Sequence, residues 1–228
     1  MAEDGGTLDY TGTETSVPEN SVRPASSSEY FQIVSGKVPA GAIPVFDDAH
    51  HVAIGYRTPY VGGIARVYDL EGRQVYIEEL PLETPLFDPI DLILIVGSVG
   101  RIIVRGLTRA GAEVASEVAA KAASRALSVE GASILRVIFR SIMQRELRFT
   151  ATTAARMAQP GRFVPIQILK LAVRYGVRDA DPAGVAGAFR YSIKVLRASK
   201  VIGKPAKEYM LRIVVRESDG TILHFHME

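Results

Sequence analysis

The residues best suited to chemistry lie near the C-terminal end, where His224 and His226 alternate with apolar side chains. Residues two apart on a β-strand point to the same side, so both histidines share one face of the strand predicted over 221–228. Two further strands are predicted over 188–198 and 207–217. In each of them the same alternation places basic residues on one face. The basic residues on those faces are Arg190, Lys194 and Arg212.

One sheet face would therefore collect two histidines and three cations, a set that fits metal-free and cofactor-free cleavage of a phosphodiester. A histidine can take the proton of a 2′-hydroxyl or protonate the leaving oxygen, and fixed cations stabilise the pentacoordinate phosphate. We predict catalytic roles for His226, His224, Arg212, Lys194 and Arg190. A His-x-His pair on a strand is also typical of a metal-binding pair, an inert surface pair or an interface patch, and its spacing does not choose among them.

Charge divides unevenly along the 228 residues. Residues 1–144 hold 12 Lys/Arg against 18 Asp/Glu, whereas residues 145–228 hold 15 against 7. A basic C-terminal part favours a polyanion or an acidic partner, although basic residues also simply solvate a small domain. The C-terminal half lacks the clustered carboxylates and longer His/Asp/Asn ligand sets of metal-dependent nucleases, so we predict no metal site. The candidate RNA-binding residues are Arg156, Arg197, Lys200, Lys204 and Lys207.

Composition and periodicity predict an α+β fold in four consecutive segments. The composition of residues 1–29, which is rich in Ser, Thr and Pro, predicts a flexible leader. The pattern over 30–83 predicts a β-rich module with strands near 43–46, 52–56, 65–68 and 74–77. Residues 84–147 predict a helical linker or translocation region with breaks near 106–111 and 128–131. Residues 148–228 predict a basic α+β domain, in which a helix over 163–175 precedes an antiparallel sheet.

Within the C-terminal domain, Ser218-Asp219-Gly220 predicts the hairpin turn between the last two strands. A four-stranded sheet would need one more strand, and residues 148–154 are the candidate. Thr150, Thr152 and Thr153 are expected to cap a helix or, alternatively, to bind a phosphate. The consecutive pair His50-His51 is expected on a loop surface.

Three features of the sequence bear on the cellular context of the protein. The chain has no cysteine, which excludes disulfides and thiol chemistry, and its acidic start is unlike a secretory signal. The most apolar stretch, 92–100, is too short to cross a bilayer, which takes about 20 residues, so we predict no stable membrane insertion.

The segment from Gly41 to Gly72 resembles the region just before the toxin in polymorphic bacterial effectors of the Rhs and contact-dependent-inhibition kind. The resemblance rests on Ile43-Pro44-Val45-Phe46-Asp47, Ile54-Gly55-Tyr56 and Tyr68-Asp69-Leu70-Glu71-Gly72. The C-terminal part resembles the barnase–EndoU–colicin–RelE group of ribonuclease toxins. That likeness rests on the run from Lys207 to Val215 and on Gly220-Thr221-Ile222-Leu223-His224-Phe225-His226.

The resemblance implies helices followed by a four-stranded antiparallel sheet, a tRNA or other RNA substrate, and a cognate immunity protein. It also implies synthesis in the bacterial cytoplasm, secretion with a carrier or chaperone, and delivery into the cytoplasm of a target cell. Three alternatives remain, of which the plainest is an interaction module such as an adaptor or an immunity-like protein. A toxin directed at NAD, such as an ADP-ribosyltransferase or NAD glycohydrolase, would use Arg190, Tyr209 and the threonines at 150–153. A membrane-active effector would act through residues 86–148.

Overall fold

A computed structural model describes residues 10–25, 29–34, 37–79, 127–198 and 206–228. Over these residues the fold is α+β with a β-rich N-terminal region, as predicted, and its strands pair in both parallel and antiparallel directions. The strands are β1 Ser16–Pro18, β2 Tyr30–Ile33, β3 Ile43–Asp47, β4 Val52–Arg57, β5 Ile64–Tyr68, β6 Gln74–Glu79, β7 Arg148–Thr150, β8 Val177–Ala180, β9 Ala188–Ala198, β10 Lys207–Arg216 and β11 Thr221–Met227. The α-helices are α1 Val129–Ile142, α2 Ala151–Met157 and α3 Ile166–Tyr175.

The chain divides into two compact units that are not consecutive in sequence. Unit 1 comprises residues 1–27, 143–194 and 209–228, and unit 2 comprises residues 28–142 and 195–208. Strands β9 and β10 therefore contribute residues to both units. This division differs from the four consecutive segments predicted, because β-sheet pairing joins strands that are far apart along the chain.

Unit 2 contains the predicted β-rich module. Strands β3, β4, β5 and β6 pair antiparallel in chain order, while β2 pairs parallel with β4 and antiparallel with the end of β9. Helix α1 packs on this sheet through Leu135, which is fully buried. A Cβ on Gly55 would lie 2.6 Å from the Leu135 side chain, so glycine lets the helix approach strand β4 closely.

The predicted helical middle is described only from residue 127 onward. Helix α1 begins just after Ser128, whose hydroxyl accepts a hydrogen bond from the Gly131 amide at 3.1 Å, and this start agrees with the break predicted near 128–131. The break predicted near 106–111 and the apolar stretch 92–100 lie outside the described residues. Among the residues that are described, no helix is long and apolar enough to cross a membrane.

Unit 1 is built around the predicted C-terminal sheet. Strand β7 lies between β1, its antiparallel neighbour, and β11, its parallel neighbour, and β11 pairs antiparallel with β10. Strand β8 pairs antiparallel with β9. Helix α3 begins just after Pro165, three residues later than predicted, because proline cannot continue a hydrogen-bonded turn before it.

Two local predictions for unit 1 are confirmed. The β10–β11 turn includes Gly220, whose positive φ of 71° suits glycine, and β7 supplies the additional strand sought over 148–154. The antiparallel direction expected for the whole C-terminal sheet is wrong for this strand, because helices α2 and α3 follow β7 and β7 pairs parallel with β11. That strand ends after three residues because Thr150 caps helix α2: its hydroxyl accepts from the Thr153 amide at 3.2 Å.

The N-terminal residues differ most from expectation. A flexible leader was predicted over 1–29, yet residues 10–25 form strand β1 and a short 3-10 turn, Glu19–Ser21, within unit 1. Tyr10 and Val22 are buried there. Antiparallel pairing with β7 satisfies the backbone of β1, and this stabilisation does not depend on local hydrophobicity.

Candidate active site

The pairing of β10 with β11 sets the position of both histidines. His226 lies opposite Arg212, and His224 lies opposite Val214. Because directly opposed residues of an antiparallel pair share a face, the two histidines and Arg212 lie on one side of the sheet. Residues two apart on a strand are separated by about 7 Å, close enough for both imidazoles to reach one nucleotide. This shared face agrees with the alternation predicted from sequence.

A β-bulge corrects one detail of that alternation. Leu223 was expected on the face opposite the histidines, but Val215 pairs with Ile222 while Val214 pairs with His224, which leaves Leu223 as the extra residue. Leu223 consequently packs with Val214 on the histidine side, in a buried cluster that also contains Tyr10 and Ala188. We call this side of unit 1 the histidine face.

His224 is half-buried and held from two directions. Arg156 of helix α2 lies with Nη1 3.0 Å from His224 Nδ1, and the ring of Tyr10 lies 6.1 Å from the imidazole, centroid to centroid. Since a guanidinium only donates hydrogen bonds, Nδ1 accepts and the imidazole proton resides on Nε2. Arg156, predicted to bind RNA, therefore fixes the tautomer of a candidate catalytic histidine.

His226 is exposed, and its cross-strand partner Arg212 is anchored to the end of the chain. Arg212 Nη1 lies 2.7 Å from Oε1 of Glu228, and both side chains are about half exposed to solvent. An exposed ion pair of this kind contributes little to stability, so a phosphate can replace the Glu228 carboxylate at small cost. Arg212 is thus a cation within reach of a substrate bound at His226.

Arg190 joins the histidine face from strand β9. Its Nη2 lies 3.5 Å from the Asp179 carboxylate, while its Nε is a buried nitrogen without a hydrogen-bond partner among the described residues. The positive charge of Arg190 also acts on Tyr10, since it opposes the rise in the pKa of that phenol. A guanidinium that still has an N–H donor to offer is suited to binding a phosphate.

Lys194 lies on the same side of β9 as Arg190 and is exposed, but four residues of strand separate the two by about 13 Å. The structure therefore does not bring Lys194 and Arg190 to a single phosphate.

None of the other predicted RNA-binding residues is a described residue of unit 1. Arg197 belongs to unit 2, where it forms an ion pair with Glu29 and lies over the Phe31 ring at 5.7 Å, so it fixes strand β2 against β9. Lys207 is exposed and also belongs to unit 2. Lys200 and Lys204 lie outside the described residues.

Sequence reasoning missed Tyr10 and Asp181. The Tyr10 hydroxyl donates to the Asp181 carboxylate, which also accepts from the Val185 amide at 2.8 Å, and both side chains are buried. Burial first, and then the bond to Asp181, raises the pKa of Tyr10, so the phenol keeps its proton. Tyr10 stands alone in a polar segment with no periodic pattern around it, and no catalytic or metal-binding motif in the sequence includes Asp181.

Of the three threonines near 150, Thr150 and Thr153 have structural roles, whereas Thr152 is exposed. Thr150 and Thr153 are buried, their hydroxyls lie 3.0 Å apart, and the Thr153 hydroxyl donates to the Ile222 carbonyl at 3.1 Å. Capping, the expectation that the sequence favoured, is confirmed for Thr150. These hydroxyls join helix α2 to strand β11 and are not available to a ligand.

The part of the chain that the structure describes contains no group of three or more His, Asp or Glu side chains arranged to hold a metal ion. Comparisons with protein-family models, with curated proteins and with solved structures found no match for this chain. The function is therefore inferred from the chemistry of the histidine face.

Proposed function

We propose that the protein is a metal-independent endoribonuclease toxin that cleaves RNA on the histidine face of unit 1. The observation that carries the proposal is the register of β10 and β11, which places His224, His226 and Arg212 on one side of the sheet. Arg156 and Arg190 add two further guanidinium groups near the same residues. This combination supplies proton transfer and stabilisation of negative charge, the two requirements of cleavage by the 2′-hydroxyl.

The groups divide the reaction between them. His226, the more exposed imidazole, accepts the proton of the 2′-hydroxyl as that oxygen attacks phosphorus. The bond between phosphorus and the 5′ oxygen breaks, the departing oxygen takes a proton from water, and His226 later releases its own proton to solvent. The products are a 2′,3′-cyclic phosphate and a 5′-hydroxyl. His224, neutral and protonated on Nε2, donates a hydrogen bond to a phosphate oxygen, and Arg212 and Arg190 stabilise the pentacoordinate charge.

The biological setting follows from the resemblance of the sequence to polymorphic effectors. We propose that the protein is made in the bacterial cytoplasm, secreted with a carrier or chaperone, and delivered into a target cell, where it cuts tRNA or another RNA. A cognate immunity protein would protect the producing cell by covering the histidine face. A carboxylate-rich partner surface would complement its arginines.

The NAD-directed alternative loses part of its predicted set of residues. The hydroxyls of Thr150 and Thr153 are buried and hydrogen-bonded within unit 1, whereas Thr152 is exposed. The membrane-active alternative depends on residues 86–148, of which 86–126 lie outside the described residues. Neither alternative is favoured by a feature of the described structure.

The test is RNA cleavage by the purified full-length chain in the presence of EDTA. Because general acid–base catalysis contributes about 10²- to 10⁴-fold, His226→Ala should lower the cleavage rate by at least about 100-fold. His50→Ala is the matched control, since it removes an exposed histidine of unit 2. Intact RNA with the wild-type chain, or equal cleavage by wild type and His226→Ala, would overturn the proposal.

A further inference from the structure

Tyr10 occupies an unusual position for a residue of the N-terminal segment. Its ring belongs to the buried cluster of Leu223, Val214 and Ala188, and it lies next to the His224 imidazole at an interplanar angle of 38°. Its hydroxyl donates to Asp181, on the turn that leads into strand β9. Tyr10 therefore contacts strand β11 through His224 and the turn before strand β9 through Asp181.

We infer that Tyr10 is a positioning residue of the active site, and that the N-terminal segment thereby completes a catalytic centre whose other residues come from the C-terminal part of the chain. This inference rests on the proposed function. The Tyr10 ring limits the rotation of His224 on one side while the Arg156 guanidinium binds Nδ1 on another. With both in place, the His224 imidazole keeps one orientation on the histidine face.

The N-terminal segment is fixed firmly enough for this role. Downstream of Tyr10, Arg216 donates to the Gly12 carbonyl and to the Glu14 carbonyl at 3.3 Å. Strand β1 pairs with β7, and Arg148 Nε donates to the Ser16 hydroxyl at 2.9 Å. These bonds leave few degrees of freedom between the strand and the tyrosine, so Tyr10 is held against His224 with little further loss of entropy.

Unit 2 offers a matched control with the same three residue types. The ring of Tyr30 lies 5.1 Å from the His51 imidazole, and its hydroxyl donates to Asp48 at 3.1 Å. Tyr30→Leu removes an equivalent set of contacts at a distance from the proposed chemistry along the chain. A loss of activity specific to Tyr10 therefore cannot be a general effect of deleting a buried tyrosine.

The experiment compares Tyr10→Leu, Tyr10→Phe and Tyr30→Leu in the full chain, with folding checked by circular dichroism. Since small misplacements of catalytic groups cost up to about 100-fold in rate, Tyr10→Leu should lower kcat by about 10-fold or more with little change in KM. Tyr10→Phe keeps the ring against His224 and should retain most of the wild-type kcat. Tyr30→Leu should leave both constants unchanged.

Nitrogen-15 NMR of the four histidines gives a second readout that does not depend on RNA cleavage. In the wild type and in Tyr10→Phe, His224 should show a single tautomer protonated on Nε2; in Tyr10→Leu the imidazole should turn away from Arg156, so that its two nitrogens move toward averaged shifts. If Tyr10→Leu fails to fold, Tyr10→Met, which keeps more of the buried volume without a ring, replaces it in both measurements. An unchanged His224 spectrum or an unchanged kcat in the folded variant without the ring overturns the inference. Intact RNA together with the expected change in the His224 spectrum refutes only the proposed nuclease activity.

Discussion

Each unit contains a tyrosine that contacts a histidine and donates to an aspartate, yet the surroundings of the two sets differ. In unit 2, His51 lies in the turn between β3 and β4 with a positive φ of 54°, next to His50, which pairs with Asp47. In unit 1, His224 and His226 lie two apart on a strand, opposite residues of a second strand. A turn directs adjacent side chains apart, whereas a strand returns every second side chain to one face.

The comparison shows why histidine content alone says little about function. A sheet face combines residues from several strands, and in unit 1 it brings arginines from β9, β10 and α2 toward the histidines. In unit 2, His50 contacts Asp47 at the end of strand β3 and His51 contacts Tyr30 of strand β2. The proposed catalysis requires acid–base groups and cations from different elements, and the histidine face of unit 1 carries both kinds of group.

The largest expected difference between the units is the loss of kcat when an arginine of each unit is replaced. Replacing Arg212 with methionine removes the cation opposite His226 and should lower kcat by about 100- to 1000-fold, the usual effect of losing one group that stabilises transition-state charge. Arg66→Met is the control, because Arg66 is exposed on a paired strand of unit 2, opposite Ile77. If the two variants had equal activities in steady-state RNA cleavage, the assignment of catalysis to unit 1 would be contradicted.

A second prediction concerns how firmly the N-terminal segment is attached. Lys170 is 8% exposed, and its Nζ lies 2.7 Å from Oε1 of Glu19. Among the described residues, Glu19→Ala leaves this buried ammonium with only the Met143 carbonyl, at 2.9 Å, and it should lower the free energy of unfolding by about 3 kcal/mol.

The control for this stability measurement is an exposed ion pair of unit 2. Glu71→Ala disrupts a contact with Arg73, which is 65% exposed, and should change the free energy of unfolding by less than about 0.5 kcal/mol. Urea unfolding followed by circular dichroism measures both changes. A Glu19 variant as stable as the Glu71 variant would mean that the segment is not anchored through Lys170.

The smallest effect is a pH dependence in unit 1. Hydrogen bonds from Arg178 and then from Tyr191 lower the pKa of Glu217 from 4.5 to about 2. A carboxylate with a depressed folded-state pKa adds stability that is fully present above pH 4.5 and is lost as the pH falls toward 2. Glu217→Gln should therefore flatten the pH dependence of unfolding in that window, and Arg178→Met should flatten it similarly; an unaltered dependence in either variant would contradict the assignment.

Sequence patterns anticipated the regular elements closely. Strand β9 has the predicted limits, and the β10–β11 hairpin, its turn and the shared face of His224 and His226 follow from a period of two residues. Strands β3 to β6 match their predicted positions to within two residues at either end. These features depend on residues that are close together in the sequence, so the local pattern of apolar and polar residues predicts them.

The remaining features depend on contacts between distant residues. The bulge at Leu223 shifts the register by one residue and leaves no composition signal. Tyr10 reaches His224 across more than two hundred residues of chain, and a polar segment without periodicity gave no reason to expect it. Arg156 was assigned to RNA binding on charge alone, because only the packing of α2 beside β11 reveals its bond to His224.

The most direct test of the central claim is the chemistry of the cut ends. RNA digested by the full-length chain in EDTA should carry 2′,3′-cyclic phosphates and 5′-hydroxyls, and a substrate with a 2′-deoxyribose at the cut position should remain intact. This result is required if the 2′-hydroxyl attacks phosphorus on the histidine face. Ends with 3′-hydroxyls and 5′-phosphates, or cutting of the deoxy-substituted substrate, would contradict it.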